Sequence, residues 1–228
     1  ISEKPKLPSF WQNLLQSDFD VVLINRQLKP PIFHQVAADY TDGVRMVVEK
    51  LAEFGHTRVA YISGQPAMLP IRQRLSAFKR WAKKYGFDDD PQLLAYADLS
   101  FRGGYEAGAR LWRTVKKKPT AIVAFSDVVA VGLLRFLEVA NITVPDAVSV
   151  ASFDGTVVSE YTHKTLTTVY TPMYDIGKHA FALLRGGMEG KYKEPQSVIL
   201  PVQLQLRESI RAACTSSSKA SLKTARLR

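Results

Sequence analysis

Segments of strand-forming residues alternate along this chain with longer segments of helical periodicity, and this alternation limits the folds that the chain can adopt. The strand-like segments that matter most are residues 20–24, 58–63, 121–125 and 148–153. Each is followed by Asn, Gly, Ser or Asp and, directly or after a polar stretch, by apolar residues at helical spacing. This pattern is typical of βαβ units, so the sequence predicts an α/β fold with parallel sheets.

Apolar residues at helical spacing also predict which helix faces are buried. In the helix predicted over residues 41–54, the inward residues are Val44, Val47, Val48 and Leu51. In the helix predicted around residues 105–115, the inward residues are Tyr105, Ala109, Trp112 and Val115. The corresponding residues after the third strand are Val129, Leu133, Phe136 and Ala140. These faces are expected to cover the sheet.

The last third of the chain is harder to assign. The polar stretch after Gly155 contains no clear element, and residues 167–172 have the character of a hinge. A helix is predicted from Met173 to about Leu184, with Gly186-Gly187 ending it. Residues 198–206 are predicted to form a strand that Pro201 interrupts, because proline cannot donate a hydrogen bond inside a central ladder.

Composition narrows the class of protein. At 228 residues and 46% apolar residues, the chain can bury one large core or two modest ones. The net charge is +10, but half of that excess lies after Glu208, and we expect the Ser- and Lys-rich tail, residues 214–228, to be disordered. A single cysteine cannot form an internal disulfide, and neither a membrane-spanning run nor an export signal is visible. These features predict a cytoplasmic protein.

Polar side chains stand just beyond the predicted strands. They are Asn25, Arg74 on the helix after the second strand, residues 98–100, Ser126 with Asp127, and Asp154. In a parallel sheet such ends converge on one crevice, and this mixture of groups suits a ligand with several hydroxyls. The sequence therefore predicts a binding cleft.

Four of these residues also have a simpler interpretation. Asp127 can cap the helix that it precedes, and Arg74 can be a surface residue of a helix rich in basic groups. Asn25 and Asp154 can be turn residues.

Catalytic and metal-binding patterns are missing from the sequence. The four histidines show no ligand spacing, no nucleophile motif is present, and neither a phosphate loop nor a dinucleotide fingerprint is complete. We therefore predict no cofactor, no metal and no enzymatic activity.

Several motifs in a fixed order resemble the effector-binding core of the lactose-repressor (LacI/GalR) family of bacterial transcription regulators. The resemblance covers about residues 8–212. The segments that carry it are Asp39-Tyr-Thr-Asp-Gly43, residues 51–64, Arg72-Gln-Arg-Leu-Ser-Ala-Phe78, residues 121–132, residues 144–154, Leu166-Thr-Thr-Val-Tyr-Thr-Pro172 and Leu204-Gln-Leu-Arg-Glu-Ser209.

The resemblance implies two doubly wound parallel-sheet subdomains of the periplasmic-binding-protein-like type I, with an effector between them. It places residues 1–38 and 172–200 in the amino-terminal lobe, and residues 39–171 and 201–213 in the carboxy-terminal lobe. Family members carry a DNA-binding headpiece, a hinge and three further strands ahead of the point that matches Ile1, so the amino-terminal lobe is expected to be incomplete in this chain.

Ligand contacts implied by the resemblance fall on Asn25, Arg74, Leu99, Ser126, Asp154, Thr171 and Met173. Of these, Arg74 and Asp154 are the residue types usual in the family. The others depart from it: Leu99 and Met173 stand where aromatic residues often stack on a sugar, Asn25 where Asp is common, Ser126 where Asn is frequent, and Thr171 where Gln is frequent. These departures weaken the prediction of a plain hexopyranose.

The function implied is that of a homodimeric regulator core that senses a small polar effector, a carbohydrate or its derivative, and acts on operator DNA through a headpiece absent from this chain. Two alternatives come from other classes. A periplasmic-type solute-binding receptor of a sugar transporter shares the fold, and an enzyme on a Rossmann-like fold would need a catalytic pair at the strand ends.

Overall fold

The computed structural model describes residues 9–66 and 68–213. The predicted disordered tail, residues 214–228, lies outside the described residues. The chain divides into two compact units, one comprising residues 1–38 and 172–200 and the other residues 39–171 and 201 onward. None of the helices in the described ranges is long and apolar enough to cross a membrane.

Six α-helices and nine strands make up the described fold. The helices are α1 (Ser9–Leu15), α2 (Tyr40–Glu53), α3 (Leu69–Lys84), α4 (Phe101–Thr114), α5 (Asp127–Val139) and α6 (Met173–Met188). The strands are β1 (Val22–Ile24), β2 (His34–Ala38), β3 (Val59–Ser63), β4 (Leu94–Tyr96), β5 (Ala121–Ala124), β6 (Ser149–Asp154), β7 (Thr167–Tyr170), β8 (Ser197–Leu200) and β9 (Gln203–Gln205). Short 3₁₀ helices occur at Pro91–Leu93 and Val157–Glu160.

The first unit contains a parallel sheet in the order β1-β2-β8, on which α6 packs. The sequence predicts a buried strand over residues 20–24, but β1 is shorter and Ile24 is exposed. It does not predict β2, whose five residues, His-Gln-Val-Ala-Ala, do not alternate. Periodicity carries little information over so few residues.

The second unit contains a sheet in the order β4-β3-β5-β6-β7-β9. Its first five strands are mutually parallel, and β9 runs antiparallel to β7. Strands β3 and β5 are buried along their whole length, as expected for central strands covered by helices on both faces. The predicted α/β fold with parallel sheets is therefore confirmed.

Helix α2 buries the predicted face, but α4 buries a different one. Val44, Val47, Val48 and Leu51 of α2 are all buried. The buried residues of α4 are Gly103, Gly104, Ala107, Gly108 and Leu111, whereas Tyr105, Ala109 and Trp112 are only partly covered. The reason is the close packing of α4 on α5: a Cβ added at Gly104 would lie 2.0 Å from the carbonyl oxygen of Val129. Small residues allow this approach, and a search for bulky apolar residues does not detect it.

The adjoining helix and the end of α6 also differ from expectation. On α5, Phe136 is only partly covered and Ala140 is exposed, while Leu137 takes the buried position. Helix α6 continues through Gly186 and Gly187 to Met188, and the chain reverses at Gly190, which has a φ of +68°. A Cβ at Gly186 would lie 2.4 Å from the ring of Tyr192, so packing accounts for this glycine.

Two further expectations about the last third are corrected. Residues 167–170, predicted to be hinge-like, form β7, which pairs with both β6 and β9. The predicted strand over residues 198–206 is two strands in two different sheets, β8 and β9, separated at Pro201. Pro201 lies between the two strands, where its nitrogen does not have to donate a ladder hydrogen bond.

Candidate functional site

Arg74 and Asp154 meet at the carboxyl edge of the six-stranded sheet, where β3, β5, β6 and β7 all end. Asp154 is the last residue of β6, and Arg74 lies in the second turn of α3. Arg74 Nη1 donates a hydrogen bond of 2.8 Å to the carbonyl oxygen of Phe125, which follows β5. The same nitrogen is 3.7 Å from Asp154 Oδ1, an ion-pair distance that is too long for a hydrogen bond. The backbone thus holds the guanidinium beside the carboxylate.

Two aromatic rings lie close to the guanidinium of Arg74. Its Cζ atom lies 4.4 Å from the ring centroid of Tyr40 and 5.8 Å from that of Phe153, within the range of cation–π attraction. The side chain is only 11% exposed, so the alternative that Arg74 is an ordinary surface residue is wrong. Its Nε is buried and has no hydrogen-bond partner within the described ranges. An unpaired buried donor of this kind is costly unless a ligand or water satisfies it.

Burial makes the Asp154 carboxyl group a weaker acid than an ordinary aspartate. Burial raises the pKa of Asp154 to about 6, the negative charge of Asp127 adds to this rise, and Arg74 opposes it. Burial likewise raises the pKa of Tyr40, which remains neutral. Asp154 also has a φ of +105°, a conformation that side chains other than glycine rarely adopt and that is often found at functional sites.

Thr171 and Ser126 lie on the same edge but are buried. The N–H of Thr171 donates to the carbonyl oxygen of Asp154 at 3.2 Å. The hydroxyl of Ser126 caps α5 by accepting from the N–H of Val129 at 3.3 Å. Ser126, not Asp127, is therefore the N-cap residue, and the capping interpretation of Asp127 is wrong.

The Asp127 carboxylate is fully buried and accepts hydrogen bonds from its own unit. Its Oδ1 accepts from the hydroxyls of Ser152 (2.5 Å) and Thr168 (2.7 Å). Its Oδ2 accepts from the N–H (2.6 Å) and the hydroxyl (2.8 Å) of Thr156. These four donors occupy both oxygens, which differs from the ligand contact predicted for Asp127.

The remaining predicted residues lie elsewhere. Leu99 is on the turn between β4 and α4, and its side chain is exposed. Asn25 and Met173 belong to the first unit, where Asn25 Nδ2 is 3.8 Å from the sulfur of Met173. The Asn25 amide oxygen accepts from the N–H of Ala38 at 3.3 Å, and its φ of +53° agrees with the turn interpretation.

Sequence reasoning missed two tyrosines of the site. Tyr40 is the first residue of α2 and stacks on Arg74. Tyr61 in β3 is buried, its hydroxyl has no partner among the residues described, and burial raises its pKa. Tyr40 could have been identified from its position, because it directly follows a strand and the helix cap Asp39. Since β2 was not predicted, this position was not recognised. No sequence signal distinguishes Tyr61 from an ordinary core residue.

Comparison with known proteins agrees with the fold and identifies relatives of the chain. A family described as "Periplasmic binding protein-like domain" matches residues 48–210. The HTH-type transcriptional repressor CytR of Escherichia coli (strain K12) is 32% identical over 165 residues, which is 72% of this chain and 48% of that protein. The chain thus spans about half the length of the curated relatives it matches.

Two solved structures of regulators are also similar. A transcriptional regulator CelR–cellobiose complex is 29% identical, with a TM-score of 0.78 over 82% of this chain and 58% of that one. A LacI family transcriptional regulator from Enterococcus faecium with bound ribose is 25% identical, with a TM-score of 0.77 over 85% of this chain and 71% of that one. This chain therefore belongs to the family of periplasmic binding protein-like domains, in the form found in LacI-family transcriptional regulators.

Proposed function

We propose that this chain is the effector-binding core of a DNA-binding transcriptional regulator and that it senses a carbohydrate or a carbohydrate derivative. The observation that carries the proposal is the pair of Arg74 and Asp154 at the carboxyl edge of the sheet, with Arg74 Nε buried and without a hydrogen-bond partner in the part of the chain that the structure describes. A sugar hydroxyl can accept from Arg74 and donate to Asp154 at the same time, and both are strong, charge-assisted hydrogen bonds.

The relatives favour a regulator over the two alternatives. Their names describe transcriptional repressors and regulators, and two of the similar structures hold cellobiose and ribose. A solute-binding receptor of a transporter and an enzyme are therefore the weaker proposals. As a regulator, the protein would act in the cytoplasm, bind operator DNA through a headpiece in the longer protein, and carry out no catalysis.

An effector can regulate DNA binding only if it prefers one conformation over another. We propose that the two compact units are the two lobes of the family and that the effector stabilises one of their arrangements. An effector with equal affinity for both arrangements would have no regulatory effect, however tightly it binds. Asn25, Leu99 and Met173 remain proposed contacts in this scheme, together with Arg74, Asp154, Ser126 and Thr171.

A thermal-shift screen of the full-length protein tests this function. Ribose, cellobiose, other sugars, sugar acids, polyols and nucleobases would be added at millimolar concentration. A ligand at about 100 times its dissociation constant adds about 2.7 kcal/mol to stability, which is easily measured as a rise in Tm. We expect polyhydroxylated compounds to raise Tm. Stabilisation by nucleobases alone, which lack hydroxyls of this kind, would contradict the proposal.

Effector affinity is expected to fall as the pH drops through 6. The pKa of Asp154 is about 6, and only its charged form can accept a hydrogen bond from a sugar with full strength. Between pH 7 and pH 5 the charged fraction falls by about tenfold, and affinity should fall with it. Titration calorimetry with the effector from the screen measures this. In Asp154→Asn the affinity should be lower at pH 7 and nearly independent of pH; an unchanged pH profile would exclude Asp154 as the contact.

We also propose that the protein is a homodimer and that a second copy covers the outer surface around α5. A groove of about 660 Å³ runs between α5, residues 141–146 and residues 158–164. Apolar side chains near it are exposed, among them Val157 and Tyr161. The groove carries both signs of charge, with Arg135 and Lys164 beside Glu138 and Asp146. A patch of mixed sign can pair with its own copy across a two-fold axis, and exposed apolar area of this kind marks interfaces.

Tyr161→Asp is expected to convert the dimer to a monomer in sedimentation velocity, because it places a charge in the buried interface. Tyr174→Asp is the matched control, since Tyr174 lies on α6 in the other unit and is equally exposed, at 82%. If both variants sediment as dimers, the surface around α5 is not the interface.

A further inference from the structure

The buried carboxylate of Asp127 is connected to the loop that follows Asp154. Asp127 is the first residue of α5, and Thr156, which gives it two of its four hydrogen bonds, is two residues after Asp154. The other two donors, Ser152 and Thr168, stand on β6 and β7. We refer to Asp127, Ser152, Thr156 and Thr168 as the Asp127 network. It links one helix, two strands and one turn.

The turn that this network holds has an unfavourable backbone conformation. Asp154 has a φ of +105° and Gly155 a φ of +67°. The N–H of Gly155 donates to the hydroxyl of Thr168 at 3.2 Å, so a member of the network contacts this residue as well. A Cβ at Gly155 would lie 2.5 Å from the Cα of Tyr170, which explains why glycine stands there. Residues in such conformations persist only where surrounding contacts hold them.

We propose that Asp127 is a positioning residue, which fixes the turn at Asp154 and Gly155 so that the Asp154 carboxylate faces Arg74 and can accept hydrogen bonds from the effector. The inference rests on the proposed function, because it assumes that Asp154 contacts the effector. It gives the buried carboxylate a role other than that of a helix cap or a ligand contact.

Electrostatics provide a second connection between the two carboxylates. The groups around Asp154 are Arg74 from α3, Asp127 from α5, Tyr40 from α2 and Tyr61 from β3. The two tyrosines are neutral, because burial raises their pKa. The charge of Asp127 raises the pKa of Asp154, whereas Arg74 lowers it. Removing the charge of Asp127 should therefore lower the pKa of Asp154, an effect that a purely structural role does not require.

Asp127→Asn tests both connections, because it removes the charge of Asp127 and changes its hydrogen bonds with little change in the shape of the side chain. With its amide oxygen toward Ser152 and Thr168, its NH₂ group faces the N–H of Thr156, which cannot accept a hydrogen bond; with the amide turned the other way, the N–H of Thr156 donates to a neutral oxygen instead of a carboxylate. In either orientation the link to the turn is weakened. In the full-length protein, we expect the amide protons of Gly155 and Thr156 to exchange on the order of tenfold faster. The carbon-13 NMR signal of the Asp154 carboxyl should titrate at lower pH than in the unchanged protein. Unchanged exchange together with an unchanged titration would overturn the inference.

Thr156→Val is the companion variant. It removes one hydroxyl donor but keeps the charge of Asp127, so it should accelerate amide exchange at Gly155 and leave the titration of Asp154 nearly where it was. If Asp127→Asn does not fold, faster exchange in Thr156→Val supports the network, and unchanged exchange overturns it.

Binding measurements on the variants distinguish a failure of this inference from a failure of the proposed function. Calorimetry would use ribose, cellobiose and any further sugar that raises Tm. We expect Asp127→Asn to weaken affinity by about as much as Asp154→Asn, and the double variant to be no weaker than either, because the two residues act as one unit. Weakening by Asp154→Asn but not by Asp127→Asn would overturn the positioning role alone. If Asp154→Asn has no effect, both the proposed function of Asp154 and this inference are wrong.

Discussion

Replacement of Arg74 by methionine is expected to weaken effector binding by about 100-fold and to destabilise the folded protein at the same time. The loss of binding follows from removal of a charge-assisted donor, which contributes about 1.5–3 kcal/mol. The loss of stability follows because the partly buried Asp154 carboxylate then has no cation beside it. Since Asp154 is 33% exposed and the pair is 3.7 Å apart, we expect about 2 kcal/mol at pH 8, below the usual figure for breaking a fully buried pair.

This destabilisation should depend on pH in a defined direction. The pKa of Asp154 in the folded protein, about 6, already exceeds the ordinary value of 3.8. A carboxyl group with a raised pKa in the folded state binds protons more tightly there, so its cost to stability is absent below pH 3.8 and complete above pH 6. Without Arg74 the pKa rises further. The free energy of unfolding of Arg74→Met should therefore approach that of the unchanged protein as the pH falls from 8 to 5.

Arg72→Met is the matched control for Arg74→Met. Arg72 lies two residues earlier on α3, is exposed, and forms no ion pair with any described residue. Urea unfolding at pH 5 and pH 8, with calorimetry of the sugar found by the screen, measures both variants. Equal behaviour of the two variants would show that the position of Arg74 at the sheet edge has no special role.

Gly132→Ala is expected to destabilise the protein by about 3 kcal/mol or more, the upper end of the range for overpacking. A Cβ at Gly132 would lie 1.9 Å from the carbonyl oxygen of Phe101 and 2.9 Å from the backbone nitrogen of Tyr105. Both atoms belong to the backbone of α4, so no side-chain rotation can relieve the clash. The helices would have to separate, which would open the layer that covers β5 and β6.

Gly177→Ala provides the comparison within a helix. Gly177 stands in α6, is exposed, and no atom of residues 9–66 or 68–213 lies within 4 Å of a Cβ added there, apart from its own helix backbone and chain neighbours. Since alanine has a higher helix propensity than glycine by about 0.8–1 kcal/mol, this variant should be slightly more stable than the unchanged protein. Urea unfolding followed by circular dichroism measures both changes. A loss below about 1 kcal/mol for Gly132→Ala would contradict the close packing of α4 on α5.

The alternation of apolar strand segments with helical segments along the chain made most strands and helices of the second unit predictable. The strands ending at Ser63, Ala124 and Asp154 are apolar segments of sufficient length, and each is followed by a residue that begins a helix or a turn. Their parallel arrangement brings their ends to one edge, so the grouping of Arg74 with Asp154 followed from the fold class.

Features that depend on contacts between distant residues were not predictable. The role of Asp127 depends on Ser152, Thr156 and Thr168, which lie 25 to 41 residues away along the chain. The glycine face of α4 depends on how closely α5 approaches. The predicted end of α6 at Gly186-Gly187 was also wrong. Gly186 packs against Tyr192, and the sequence does not distinguish such a glycine from one that ends a helix.

A crystal structure of the full-length protein with the sugar identified by the thermal-shift screen would show whether Arg74 and Asp154 bind the effector. We expect hydroxyl oxygens of the sugar within about 2.7–3.0 Å of Arg74 Nε and of the Asp154 carboxylate. Density for the sugar at another place, such as the groove beside α5, with no contact to Arg74 Nε or Asp154, would rule out this binding site.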